Sequence, residues 1–244
     1  AVAPAGAIKP LFGTNPISFA WPRPGKNPVV YDMATASMAM GEVQVAKREG
    51  HKVPLGTGLT KDGKETTDPG AIADGGVLLP FGGYKGSAIA MMVELMAGAL
   101  VGDNFSFETA AKDNNDGGPP SGGEFILAIS PDKTAGTNWQ KHADEFFDKM
   151  KSMGEVQVAK REGHNVPLGT GLTNDGKETT DPGEIADGGV LLPFGGYKGS
   201  AIAMMVELLA GALVGDNFSY ETAAKDNNDG GPPGGGEFVL AICP

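Results

Sequence analysis

A chain of 244 residues with 40% hydrophobic and 20% charged side chains is long enough for a real core and has the composition of a soluble globular protein. A formal net charge of −11, with no run of Lys and Arg longer than two, excludes a phosphate-backbone partner, which needs a basic face. The single Cys243 excludes an internal disulfide and points to a reducing, cytoplasmic compartment.

In chain order, Ala1–Pro10 is a Pro/Ala/Gly lead-in predicted to have little structure, and it lacks the charged and apolar regions of a secretory leader. Gly13-Thr14-Asn15-Pro16 reads as a turn, followed by Ile17, Phe19 and Trp21 in alternation, the mark of a strand with one buried face. Pro28–Met33 is a second strand. The Ala- and Met-rich stretch after it favours a helix through about Glu49, with Gly50 as its stop. Lys52–Gly76 is dense in turn signals and reads as an ordered surface loop.

A helix is predicted from Ser87 to Leu100, stopped by Gly102 and apolar nearly all round, hence central and buried. Its most apolar run, Ala88–Val101, contains Glu94 and falls short of the roughly 20 apolar residues of a membrane span. Phe105–Lys112 suggests a short helical turn, Asn114–Gly123 is irregular, and Glu124–Ser130 reads as a buried strand. Trp139, Ala143, Phe146, Phe147 and Met150 then fall on one face of an amphipathic helix, Asn138–Met153.

The second half of the chain repeats part of the first. Residues Gly41–Pro131 return as Gly154–Pro244 at a constant offset of 113, with eight differences in 91 positions. They are Lys52/Asn165, Lys61/Asn174, Ala71/Glu184, Met96/Leu209, Phe107/Tyr220, Ser121/Gly234, Ile126/Val239 and Ser130/Cys243. The division read from this is 1–153, ending in the amphipathic helix, and 154–244, the second copy. Because the strands at Ile17–Trp21 and Pro28–Met33 occur once, the two copies should compete for them. Loop closure favours the first.

The candidate chemistry centres on Phe81-Gly82-Gly83-Tyr84-Lys85-Gly86, a Gly-rich turn entering the apolar helix. Free backbone N–H groups at a helix N-terminus, with Lys85 beside them, would suit a phosphate or carboxylate. The alternative is a tight turn that only launches the helix. Its spacing is neither GxGxxG nor a Walker loop. Glu94 could be a buried functional carboxylate, although an exposed edge of the helix is favoured. Asp113…Glu124 mimics the ends of a calcium loop but reads as a turn. His51 and His164 follow a helix stop, where a surface cap is favoured over a general acid, and His142 reads as a solvated residue. No metal-ligand spacing occurs.

The runs LFGTNPISFAWP, VVYDMATA and LLPFGGYKGSAIAMMVELMAGAL, in this order, resemble the malate/L-lactate dehydrogenase family of NAD(P)-dependent oxidoreductases. GEVQVAKREG and AAKDNNDGGPP bring the chain nearest to its Δ1-piperideine-2-carboxylate/Δ1-pyrroline-2-carboxylate reductases. The resemblance implies an α/β fold with a non-Rossmann NAD(P)-binding domain, here with a tandem repeat of its C-terminal half. It also implies a homo-oligomer and hydride transfer from NADPH or NADH to a cyclic imino acid or a 2-oxo acid. Cofactor contacts would fall on Thr14, on Asp32, Met33 and Ala34, on Tyr84 and Lys85, and in the second copy on Tyr197 and Lys198. The acidic residue that assists catalysis after the Gly of GEVQ would be Glu42, or Glu155 in the repeat. In the family a further N-terminal domain carries a Ser–His proton donor, and none of the three histidines matches its motif. Weak or absent turnover by this chain is therefore expected, with a non-catalytic dinucleotide-binding remnant or an oligomerising structural protein as the alternative.

Overall fold

The computed structural model describes residues 1–112, 122–152, 170–186 and 188–225. By packing they divide into two units. The first holds residues 1–20 and the described residues between 30 and 127, and the second holds residues 21–29 and the described residues from 128 onward. The amphipathic helix groups with the described part of the second copy of the repeat. The reason is the aromatic stripe of that helix, which finds its cover in the second copy.

β1 (Ile17–Trp21) and β2 (Val29–Met33) form a two-stranded sheet close to the positions read from the sequence, with residues 17–20 and 30–33 in the first unit. Phe19 stacks on Tyr31, with ring centroids 5.7 Å apart. Helix α1 (Met40–Glu49) ends on Gly50, whose φ of 72° only glycine adopts freely. The segment taken for a surface loop is instead folded. β3 (Gly58–Leu59), β4 (Glu65–Thr66) and β5 (Val77–Leu78) make an antiparallel sheet in the order β4-β3-β5, and α2 (Pro69–Ala73) packs over it. Two-residue strands carry no readable period. Asp68 caps α2, with Pro69 in its first turn: the Gly70 N–H donates to Asp68 Oδ1 at 2.8 Å.

The lead-in is also structured. Val2 is fully buried and bridges both Phe12 and Leu78, so the N-terminus widens the small sheet. It joins Phe12, Ala36, Val43, Val53, Ile72, Leu78 and Ala90 in the main core. Helix α3 (Tyr84–Glu94) continues through a π-helical turn (Leu95–Ala99), and α4 (Ser106–Lys112) follows. The expected central burial of this helix does not hold. Gly86, Ala90 and Gly98 are buried, but Met91, Met92 and Leu95 are exposed. Glu124–Ser130 forms no strand, and Ile126 is 85% exposed, because no neighbouring strand among the described residues offers it a ladder.

In the second unit, α5 (Pro131–Thr134) leads to α6 (Trp139–Ser152), with Trp139, Ala143, Phe146 and Phe147 all buried. The hairpin tip supports it. Arg23 Nη2 and Lys26 Nζ reach Asp144 at 2.8 and 2.7 Å, and Trp21 meets Trp139 edge-on at 5.8 Å. Here the repeat forms β6 (Gly171–Leu172), β7 (Glu178–Thr179), α7 (Pro182–Ala186) and β8 (Val190–Leu191). The sheet order β7-β6-β8 mirrors the first copy. Then come α8 (Tyr197–Glu207), its π turn (Leu208–Ala212) and α9 (Ser219–Lys225).

Phe218, ahead of α9, is fully buried, with its ring stacked on Phe146 at 4.5 Å. Its equivalent Phe105 is only partly buried. Phe218→Ala should therefore cost about 3–5 kcal/mol, and Phe105→Ala clearly less. Urea denaturation of the two variants, followed at Trp139 and by far-UV circular dichroism, checks this. Equal losses would show that α6 does not hold the second copy.

Candidate functional site

The first unit brings three separated sequence motifs to one buried residue, Thr35. Its N–H and its Oγ1 both donate to the Thr14 carbonyl, at 2.8 and 3.0 Å, and its own carbonyl accepts the Phe81 N–H at 3.0 Å. Thr35 is fully buried, so these polar groups need partners, and their partners fix where three chain segments meet. The GTNP turn, the exit of β2 and the start of the Gly-rich turn are thereby held together. Ala36 bridges Pro80 and the Ser37 N–H donates to the Leu79 carbonyl, extending the seam. Sequence reasoning named Thr14, Asp32, Met33 and Ala34 but missed Thr35. A Thr at the end of a strand is a weak signal without its partners.

A second knot fixes the GTNP turn. Asn15 sits at φ 44°, a left-handed conformation that Asn tolerates better than most residues. It is buried, and its Nδ2 donates to the Ala90 carbonyl at 3.0 Å and to Glu94 Oε1 at 2.8 Å. Glu94 also accepts the Gly13 N–H at 3.3 Å and the Ser106 N–H at 2.9 Å. The favoured reading of Glu94 as an exposed helix edge is thus overturned, since the carboxylate joins the turn, α3 and α4. In the second copy Glu207 keeps the bonds from Ser219, but the GTNP turn occurs once in the sequence.

At the Gly-rich turn, Gly82 and Gly83 both take positive φ, and α3 begins with no side-chain cap. A Cβ on Gly86 would sit 1.8 Å from the Phe81 carbonyl oxygen, so only glycine lets the helix start this close to the strand exit. Gly82, Gly83, Tyr84 and Lys85 are exposed. An uncapped first turn beside a lysine suits an anionic group. In the second copy Tyr197 is exposed, but Lys198 is buried at 6% exposure.

The remaining candidates scatter. Asp32 is exposed, Met33 buried and Ala34 half-buried. Glu42 caps its own helix, accepting the Ala39 N–H at 3.0 Å, and it lines an open groove with His51 and Lys52. His51 is exposed, 3.6 Å from Glu49. His142 is not solvated as read: its ring lies 4.3 Å from that of Phe218, and its Nε2 is 3.1 Å from Glu221 Oε2. Glu155, His164, most of the calcium-like stretch and Cys243 lie outside the described residues. Among the described residues no group of three or more His, Cys, Asp and Glu could hold a metal ion, and no helix is long and apolar enough to cross a membrane.

Comparison with known proteins gives this geometry a family. The model of the malate/L-lactate dehydrogenase family matches residues 1–155 and again 150–244. A Δ1-pyrroline-2-carboxylate/Δ1-piperideine-2-carboxylate reductase of Pseudomonas syringae pv. tomato is 48% identical over 157 residues, 64% of this chain and 46% of that protein. A Δ1-pyrroline-2-carboxylate reductase of Ancylobacter novellus is 48% identical over 160 residues, 64% of this chain and 47% of its own length. The crystal structure of the P. syringae piperideine-2-carboxylate reductase superimposes with a TM-score of 0.59 at 47% identity, covering 64% of this chain and 47% of that one. Sulfolactate dehydrogenase of Methanocaldococcus jannaschii gives 0.56 at 31% identity, over 76% and 48%. The chain thus spans about half the length of the curated relatives it matches.

Burial pushes the Glu94 carboxyl up, but hydrogen bonds from Ser106, Asn15 and Gly13 outweigh it and hold the group below the usual carboxylate range. A depressed folded-state value means that this stability is fully present above the ordinary Glu range and is lost as pH falls through it. Glu94→Gln should destabilise the first unit by about 1–2 kcal/mol at neutral pH, with the gap to the parent closing in acid. Denaturation midpoints from neutral pH down through the carboxylate range test it. Parallel curves would remove the linkage.

Proposed function

The chain belongs to the malate/L-lactate dehydrogenase family, and from that premise we propose that its first unit is the NAD(P)H-binding part of a cyclic-imine reductase. The reaction is hydride transfer to Δ1-pyrroline-2-carboxylate or Δ1-piperideine-2-carboxylate, as the names of the reductases it resembles suggest. The observation that carries the reading is the Thr35 junction, which sets Thr14, the β2 exit and the Gly-rich turn side by side. The non-Rossmann architecture, the duplicated C-terminal half, a preference for NADP, a homo-oligomeric state and a cytoplasmic setting belong to the same proposal.

The residues fit the cofactor. The uncapped N–H groups at the start of α3 and the exposed Lys85 would hold a phosphate, and the positive-φ glycines let it approach the backbone. Thr14 and Asp32–Ala34 would line the rest of the cradle, with Thr35 and Glu94 as positioning residues beneath it. When bound, the nicotinamide supplies the hydride. Reduction of an imine also needs a placed acid for its nitrogen. Among the described residues Glu42 is the carboxylate proposed for that proton, and Glu155 is its counterpart in the repeat.

A second reading is favoured by one observation: Glu42 already spends an oxygen on the Ala39 N–H of its own helix. On that reading the chain binds the dinucleotide without turnover. NADPH fluorescence titration, followed by an assay with Δ1-piperideine-2-carboxylate, separates the two. Lys85→Ala should weaken NADPH binding on the order of tenfold, about 1.4 kcal/mol, while the buried Lys198 of the repeat should matter little. Binding without NADPH oxidation selects the binding-only reading. No saturable binding at millimolar cofactor would overturn both.

A further inference from the structure

The repeat supplies an internal control, because the same surface occurs twice in one chain under different cover. In the second copy the face made by α8, its π turn and α9 is closed by α6. Leu208 and Leu213 are 0% and 2% exposed, Phe218 is enclosed by His142 and Phe146, and Lys149 lies 6.0 Å from the Tyr220 ring. In the first copy the equivalents of those leucines, Leu95 and Leu100, are 51% and 36% exposed, and Val101 and Phe107 are exposed as well. The substitutions in these helices, Met96/Leu209 and Phe107/Tyr220, nearly conserve volume and leave the shape of the face intact.

The polar edge is preset too. Glu108 Oε2 accepts the Phe105 N–H at 2.8 Å, and Glu221 Oε2 accepts the Phe218 N–H at the same distance. In the second copy that Glu221 oxygen lies 3.1 Å from His142 of the covering helix. Contiguous exposed apolar surface rimmed by polar groups marks an interaction site. The occupied copy shows what chemistry fits it.

We propose that the face formed by α3, its π turn and α4 in the first copy is a docking site for an amphipathic helix of the α6 type. The partner helix carries aromatic residues spaced as Trp139, Phe146 and Phe147, with a His or another hydrogen-bond donor three residues after the first, facing Glu108. Each chain has one α6 and two such faces. Exchanging α6 between two copies of the chain moves helices without filling more faces, so a second copy is not the occupant we propose; the proposed occupant is a helix of another polypeptide.

The probe is a fluorescein-labelled synthetic peptide of residues 131–152, which includes both Trp139 and Asp132, joined in the chain by a 2.7 Å hydrogen bond from Trp139 Nε1. Titrated against the full chain and read by anisotropy, it should bind saturably, one peptide per chain. Leu95→Asp should weaken binding at least tenfold. Leu95 is exposed, so the fold should tolerate the change, as an unaltered circular dichroism spectrum would confirm. A His142→Ala peptide should bind less tightly than the parent. Absence of saturable binding overturns the proposal. So does binding undiminished by Leu95→Asp, which would place the peptide on the second copy. A concentration-dependent dimer abolished by Leu95→Asp would make a second copy of the chain the occupant and overturn the proposed partner.

Discussion

The bonds of Thr35 organise the first unit. A fully buried residue with a backbone N–H, a hydroxyl and a carbonyl cannot leave those groups unpaired without a cost of the order of 1–3 kcal/mol each. Here two of them converge on the Thr14 carbonyl and the third receives the Phe81 N–H. Segments more than sixty residues apart in sequence thereby acquire a fixed spacing. Any ligand cradle between the GTNP turn and the Gly-rich turn inherits its width from this residue.

Glu94 does for the GTNP turn what Thr35 does for the strand exit. A turn holding a left-handed Asn at its centre is not self-sustaining, since the conformation is sparsely populated outside glycine. The Asn15 amide pays for that conformation through its bonds to Ala90 and Glu94, and Ser106 closes the circuit from α4. The repeat isolates the effect. Glu207 has the same local sequence and the same Ser partner, but the GTNP turn occurs once in the chain. An identical residue is therefore a hub in one copy and a local cap in the other.

Legibility followed the range of the interaction that decides each element. β1 and β2, the stop at Gly50 and the stripe of α6 could be read, because alternation, a left-handed glycine and helical spacing are local signals. Val2, β3 to β5 and Glu94 could not, because each takes its role from partners distant in sequence. Glu124–Ser130 shows the converse error: an apolar run supplies a strand's side chains but not the neighbour it must pair with. The motifs around the candidate site were recognisable as a family pattern. Thr35 and Asn15, which hold them in place, lie within those runs, but their role depends on partners distant in sequence.

The Gly-rich turn shows the same dependence on distant partners where it recurs in the repeat. Its second copy keeps the positive-φ glycines and a helix start without a side-chain cap, so the backbone geometry of the turn is preserved by local sequence alone. What sequence cannot duplicate locally is the neighbourhood, for β1, β2 and the GTNP turn are present once. Lys198 is buried where Lys85 is exposed. A charge withdrawn from solvent is poorly placed to meet an incoming anion. Two copies of the turn therefore do not make two equivalent sites. The repeat preserves an element whose chemistry depends on strands that were not repeated with it.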